Sequence, residues 1–361
     1  RPNESPKSAA AKNTLGRYVK ANAKSLKHRR DMKDGNVTLY PIQCDLHGTT
    51  LTIISDKNNS CPTADGDVAM MWIVIDLLQT RKQCEMYPEE TVLVDIGGLY
   101  GDFGLGLGSQ KCKTIIYEPQ PSYAYLIEQS VEANNLQDKV TVVNAAISAA
   151  KSLDLLVPPR GANDGKVYLQ PNTNTSNTSS SSPAETIRGV SLDEEFSYIL
   201  KDTTEKSSIY VLKVDVEGAE ALVFSTGLQL LKQKKIQHVI FEYTPYHFIN
   251  RGTMWFSIIP FMYTMGAVAC YALHRKAASI YHVKAGHQAE AFYQEIMKKK
   301  LQTDIYCSFV NGTAPKLVAA GFHYGEIAGG AVRPWERSRA VAKRMNITTK
   351  YTSVLWDEIH I

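Results

Sequence analysis

The sequence predicts an α/β protein built on a seven-stranded, mostly parallel, doubly wound sheet with N- and C-terminal extensions. Three observations carry that prediction. Strand-like apolar runs alternate with helical patterns from residue 91 onward, the runs show little polar alternation, and the first of them, "VLVDIGGLYGDFG" (92–104), stops at an aspartate and breaks into glycines. Strands without a polar face are buried on both sides, as in a parallel sheet covered by helices. Open sheets of this kind bind ligands at the carboxyl ends of their strands, where such a glycine turn lies. The chain has 361 residues, 44% hydrophobic and 21% charged, enough for one large domain with extensions.

In chain order, residues 1–65 read as a basic stem and N-terminal extension. Residues 1–34 hold ten Lys/Arg against Glu4, Asp31 and Asp34, a local charge of +7 in a chain of net charge +4. This arm has one aromatic, Tyr18, and no RNA-binding signature, which predicts a solvated stem and no nucleic-acid partner. The chain opens on Arg1, so processing is expected, with a membrane anchor upstream as one form of it. The run "LTIIS" (51–55) reads as a short strand flanked by Cys44 and Cys61, the first pair expected to form a disulfide. None of the six cysteines lies in a C-x-x-C pair, which argues against zinc, and no metal site is predicted.

The pattern "DVAMMWIVIDLLQTRKQC" (67–84) has the spacing of a helix packed on two sides, with Asp65 or Asp67 placed to cap it. Strands follow at 91–97, 114–119, 140–147, 209–216, 238–243, 268–274 and 305–311. Between them, "SYAYLIEQSVEANN" ends on two Asn suited to a C-cap, and "EALVFSTGLQLLKQKK" ends on lysines that complement the helix dipole. Residues 170–183, "QPNTNTSNTSSSSP", have too few apolar side chains to pack and read as a loop. Residues 254–273 contain no charge and imitate a membrane span, but Pro260, Gly266 and interspersed polar residues divide them into a buried helix, a Gly turn and a strand.

The chemistry is written at the strand ends. Asp95, Gly97, Gly98 and Gly101 follow the first strand, and Glu118 ends the second. Glycines let the backbone approach a ligand closely, and a carboxylate at the next strand end accepts the hydroxyls of a ribose. No register of the glycines between 97 and 108 supplies the G-x-G-x-x-G of dinucleotide sites, so NAD is disfavoured. A D-x-G-x-x-x-G turn suits S-adenosylmethionine, which has a ribose but no pyrophosphate. The fourth strand ends in "KVDVEGAE", with Lys213, Asp215, Glu217 and Glu220 around Gly218, and the fifth gives "FEYTPYH", with Glu242 and His247. Acids at a helix N-terminus explain Glu217 and Glu220 but not Asp215 in an apolar strand.

In these motifs the sequence resembles the FkbM family of S-adenosylmethionine-dependent methyltransferases, where D-x-G-A-N-x-G, F-E-P, K-x-D-V-E-G-x-E and a closing F-E strand occur in this order. Here they read "DIGGLYG", "YEP", "KVDVEGAE" and "FEY", within residues 90 to 311. The resemblance implies a domain over 66–311, a C-terminal extension over 312–361, and a sheet whose last strand is antiparallel. It assigns cofactor roles to Asp95, Gly97, Gly98, Gly101, Glu118 and, near the adenine edge, Asn144. It places Asp215 and Glu217 against the reacting hydroxyl, with Asp215 or His247 as base and Glu242 orienting a sugar hydroxyl. The family's Ala and Asn are replaced by Gly98 and Leu99, and Gly104, Gly106 and Gly108 enter the next helix at about 1 kcal/mol each. Asp102 adds negative charge where the cofactor's carboxylate is expected, and the cofactor is expected to be held by the amides of Gly97, Gly98 and Gly101 with Leu99 turned away.

The function implied is methyl transfer to a hydroxyl of a glycan or other small molecule. The alternative is a methyltransferase fold without cofactor, serving as a structural or binding subunit. Six N-x-[ST] sequons occur, at Asn36, Asn58, Asn174, Asn177, Asn311 and Asn346. Chance predicts roughly two, so the excess points to the secretory pathway and the Golgi lumen rather than to a cytoplasmic or organellar site.

Overall fold

The computed structural model describes residues 38–46, 49–56, 61, 75, 78–156, 168–169, 184–204, 206–245, 258–274, 279–300, 303–311 and 324–326. A hairpin opens the described chain, β1 (Tyr40–Leu46) pairing antiparallel with β2 (Thr49–Ser55). The expected Cys44–Cys61 disulfide ties it down. The stretch 67–84 is not one continuous helix in its described part. Gln79 adopts a left-handed φ of 54°, and α1 (Thr80–Met86) begins after it. Asp65 and Asp67 lie outside the described residues.

The main sheet contains β3 (Thr91–Ile96), β4 (Lys113–Tyr117), β5 (Val140–Val143), β10 (Ser208–Val214), β11 (Ile236–Tyr243), β12 (Ala269–His274) and β14 (Thr303–Ser308). Their spatial order is β12-β14-β11-β10-β3-β4-β5. The strands β5, β4, β3, β10 and β11 are mutually parallel, and β14 runs antiparallel to β11 and β12. This is the expected seven-stranded sheet with its last strand reversed. Two short strands extend it beyond the expectation: β13 (Ser279–His282) on β12, then β15 (Tyr324–Glu326) on β13. Neither is long enough to show a periodicity in sequence, and the second lies within the C-terminal extension. The Cys270–Cys307 disulfide joins residues directly opposite in the β12–β14 ladder, and Cys84–Cys112 joins α1 to the start of β4.

Helices cover both faces. On one, Val92, Val94 and Ile96 of β3 face α4 (Leu192–Glu195), α5 (Ser197–Leu200), α6 (Glu220–Ser225), α7 (Leu228–Lys232), α8 (Ile258–Thr264) and α9 (His287–Lys299) through a single apolar cluster. On the other, α2 (Asp102–Ser109), α3 (Pro121–Ala133) and the hairpin enclose Ile116, Ile127 and Val140. Asn134, at the C-cap of α3, donates to Thr52 O and accepts from its amide, and Asn135 takes a left-handed φ of 56°. The two Asn end the helix as expected.

Three expectations about continuity are corrected. The run 140–147 breaks after β5, because Ala145 N–H turns back to Val143 O and β6 (Ala146–Ile147) pairs with β9 (Ala184–Val190) in a second sheet of order β6-β9-β7-β8. There β7 (Ser152–Leu156) pairs with β8 (Tyr168–Leu169) and β9, and the loop 170–183 lies outside the described residues. The helix expected over 220–235 divides into α6 and α7, since Asp193 accepts the amides of Gln229 and Leu230 and restarts the helix after Gly227. The glycines of α2 do not damage it. Gly104 and Gly108 lie against Ile116 and Val140 where a Cβ would collide, so they let the helix approach the sheet closely. Among the described residues no helix is long and apolar enough to cross a membrane, and residues 258–274 form α8, a turn at Gly266 (φ 100°) and β12.

Candidate functional site

The turn from β3 to α2 is the floor of the site. Gly97 (φ 82°), Leu99 (φ 50°) and Gly101 (φ 79°) all lie in the left-handed region. At Gly97 a side chain is excluded outright, because a Cβ would overlap the carbonyl oxygen of Asp215. The amides of Gly97 and Gly98 donate to Tyr117 O at 2.9 and 3.2 Å, and that of Gly101 to Gly98 O at 2.6 Å. This corrects the expectation that these three amides hold the cofactor. They stitch the turn to β4 and to itself, so the turn offers shape rather than donors. Leu99 does adopt the left-handed conformation that leucine disfavours by roughly 1–2 kcal/mol. Its side chain packs against the apolar cluster under the hairpin.

Glu118, just past β4, is buried at 3% exposure and fixes the turn from above. Its Oε2 accepts Leu99 N–H and its Oε1 accepts Gln120 N–H, both at 2.8 Å. Burial pushes the carboxyl up to about 7, against the two amides and Lys213, which favour its ionised form. Each oxygen keeps a second lone pair for a ligand hydroxyl. Asn144 does not direct its amide nitrogen to an adenine edge. That nitrogen donates to Glu118 O and Pro119 O, both at 2.9 Å, and so shapes the loop that presents Glu118.

Beneath the turn lies a charged pair that the sequence did not single out. Lys213 on β10 is the register partner of Asp95 on β3, and its Nζ sits 3.0 Å from Asp95 Oδ1 while donating to Gly97 O at 2.9 Å. Asp95 Oδ2 accepts Gly104 N–H at 3.0 Å, anchoring the start of α2. Asp95, expected to bind cofactor, is fully buried and supports the turn from below. Burial raises its carboxyl above the usual range, in part offset by Lys213. Burial also opposes the Lys213 charge, but Asp95, Asp215 and Asp102 outweigh it and hold the ammonium above its ordinary pKa. Half-buried Asp102, the first residue of α2, is pushed up to about 6 by burial, with Lys213 pulling it down.

The third component follows β10. Asp215 N–H donates to Ile96 O at 2.9 Å, which places this residue beside the glycine turn. The chain then reverses through Glu217 (φ 53°) and Gly218 (φ 105°) into α6. That reversal brings Glu220 back beneath the loop, where its Oε1 accepts the amides of Val216 and Gly218 at 3.0 and 3.3 Å. Burial pushes its carboxyl up to about 8. Asp215, Glu220 and Glu242 each place a carboxylate oxygen within 4.8 Å of the other two. Glu217, expected beside Asp215, is not in this group, and Glu220 takes its place. The signal was present in Gly218, which allows the reversal. His247 lies outside the described residues.

Residues 101–269 match the family model described as the methyltransferase FkbM domain. The matched span begins at Gly101 and so takes in Glu118, Asp215, Glu220 and Glu242 but not Asp95 or Gly97. Solved structures similar to the chain include a METTL16 MTase domain (11% identity, 86% of this chain and 83% of that one, TM-score 0.36). Others are the human methyltransferase 10 domain containing protein (11%, 69% and 84%, 0.35) and the T. thermophilus 16S rRNA N2 G1207 methyltransferase (11%, 75% and 50%, 0.35). No curated protein matches the sequence.

Proposed function

We propose that the cleft at the carboxyl ends of β10, β3 and β4 binds S-adenosylmethionine, and that the FkbM domain transfers its methyl group to a hydroxyl of a glycan in the lumen of the secretory pathway. The observation that carries the reading is convergence: the turn 97–101, Glu118 and Asp215 end three neighbouring strands, with Leu99 N–H 2.8 Å from Glu118 and Gly97 packed under the Asp215 carbonyl.

The residues present fit the cofactor by their chemistry. Glu118 has acceptor capacity for ribose hydroxyls, and Asp215, partly exposed beside the glycine turn, offers negative charge to a ligand with a sulfonium and an ammonium. S-adenosylmethionine supplies an electrophilic methyl on that sulfonium. With that group bound, the chain's part would be to align an acceptor hydroxyl with the methyl and to take the hydroxyl proton as the oxygen is methylated. Asp215, partly exposed at the cleft, is the base, and the chain otherwise contributes alignment. For the compartment, support comes from three disulfides that pair all six cysteines, a feature of oxidising environments, and from the exposed sequon residue Asn311.

Calorimetric titration with S-adenosylhomocysteine tests the reading, with micromolar binding expected. Leu99 in a left-handed turn and Asp102 at the start of α2 favour the second reading, a domain that has lost its cofactor. Absence of binding at millimolar ligand, restored by Leu99→Asn with Asp102→Tyr, would establish that one instead.

A further inference from the structure

We propose that Asp215, Glu220 and Glu242 form a binding site for a divalent cation of the oxygen-preferring class, Mg2+ or Mn2+. Their carboxylate oxygens lie within 4.8 Å of one another. An octahedral ion with ligand bonds of about 2.1 Å spaces neighbouring ligand oxygens by about 3 Å and opposite ones by about 4.2 Å, so small side-chain adjustments close the three onto one ion. Among the described residues the donor set is all carboxylate, without His or Cys, which favours Mg2+ or Mn2+ over zinc or copper. This departs from the expectation of no metal site, which rested on the spacing of the cysteines.

The cluster alone would not identify a cation site, since acidic groups also gather by sharing protons. Glu220 adds the second observation. It is 0% exposed, and although its Oε1 accepts two backbone amides, its Oε2 has no hydrogen-bond partner among the described residues. A buried carboxylate oxygen left in that state is costly unless a cation or a proton meets it. Lys213 does not serve the group by itself. Its Nζ is 3.8 Å from Asp215, but it lies closer to Asp95 and donates to Gly97 O. The three carboxylates also come from two adjacent strand ends and the first residue of α6, so the cation has rigid support on the side of the cleft away from Glu118.

A cation ligated by one Asp215 oxygen can coordinate the acceptor oxygen and lower its pKa, leaving the other Asp215 oxygen to take the proton, and can also bind an adjacent oxygen of the same molecule. This selects acceptors with two neighbouring oxygens, such as a vicinal diol of a sugar. That consequence rests on the reading of the cleft as a methyl-transfer site, whereas the cation site itself does not.

The test is a titration of the full, chelator-stripped chain with Mn2+, followed by electron paramagnetic resonance with Mg2+ as competitor, in samples also titrated with S-adenosylhomocysteine. One Mn2+ per chain is expected. Glu220→Gln, which keeps an acceptor for the amides of Val216 and Gly218, and Glu242→Gln should each weaken it about tenfold or more with the thermal midpoint preserved. If Glu220→Gln does not fold, Glu242→Gln decides. No Mn2+ binding up to millimolar, or equal binding in the variants, would overturn the site. S-adenosylhomocysteine binding without Mn2+ binding removes the cation and keeps the proposed function, and the reverse keeps the cation site and removes the function.

Discussion

Glu118 and Leu99 form one unit, because the amide of the strained leucine is a donor to the buried carboxylate. If Glu118 also receives the ribose hydroxyls, Glu118→Ala removes a buried charge-assisted pair of about 2–3 kcal/mol. S-adenosylhomocysteine should then bind roughly a hundredfold more weakly, as read by calorimetry. Burial pushes this carboxyl up from 4.5 to about 7, so between those values the folded protein holds a proton that the unfolded chain releases. The stability this contributes is complete below about 4.5 and is lost as the pH rises through about 7. The thermal midpoint of the unliganded protein should fall between pH 5 and pH 8, and Glu118→Gln, neutral throughout, should flatten the decline. A midpoint that rises over this range in the wild type, or an unchanged slope in the variant, contradicts the assignment. At Leu99, Asn relieves roughly 1–2 kcal/mol of left-handed strain while giving up apolar contact under the hairpin. Leu99→Asn should therefore leave ligand binding equal or better, because the donor to Glu118 is a backbone amide that the substitution keeps.

At the scale of elements, α2 sets two rules against each other. Helix propensity alone makes Gly104→Ala stabilising by about 1 kcal/mol. The new methyl would meet Ile116 and approach Asp95 Oδ2 at 3.1 Å, where overpacking costs about 1–3 kcal/mol. The substitution should lower stability in chemical denaturation and loosen the Gly104 N–H bond to Asp95, and a more stable variant would show that α2 can shift outward. The same helix shows what sequence can and cannot reveal. β3, β4, β10 and β11 were legible because each is an apolar run that stops at a carboxylate or glycine, whereas the reversed last strand was expected only from the family resemblance. Lys213 was seen as part of a motif, but its pairing with Asp95 depends on the register of two strands far apart in the chain. Glu220 was read as a favourable acid at a helix start because its return beneath Val216 depends on the reversal at Glu217 and Gly218. The division between α6 and α7 was hidden for a similar reason, since Asp193, which caps the second helix, comes from another element.

For the whole molecule, the compartment joins stability to function. The Cys44–Cys61, Cys84–Cys112 and Cys270–Cys307 bonds fasten the hairpin, α1 and the β12–β14 ladder to the fold at three separate places. In a reducing cytosol these bonds would not persist, and closing a loop like that between Cys44 and Cys61, 17 residues apart, contributes about 3 kcal/mol. The double substitution of Cys44 and Cys61 to Ser should lower stability by about that amount in protein refolded under oxidising conditions. If the chain is lumenal, as proposed, its six sequons should also carry glycan. Asn311 is exposed, follows the end of β14 and stands clear of the cleft at the opposite ends of the neighbouring parallel strands, so a glycan there leaves the site open. Protein made in its native host should therefore lose mass on endoglycosidase treatment, and mass mapping should find Asn311 among the modified residues together with three intact disulfides. No mass change, with all six thiols free to alkylation, would place the chain in a reducing compartment and remove a lumenal glycan as its acceptor, whatever the cofactor titration shows.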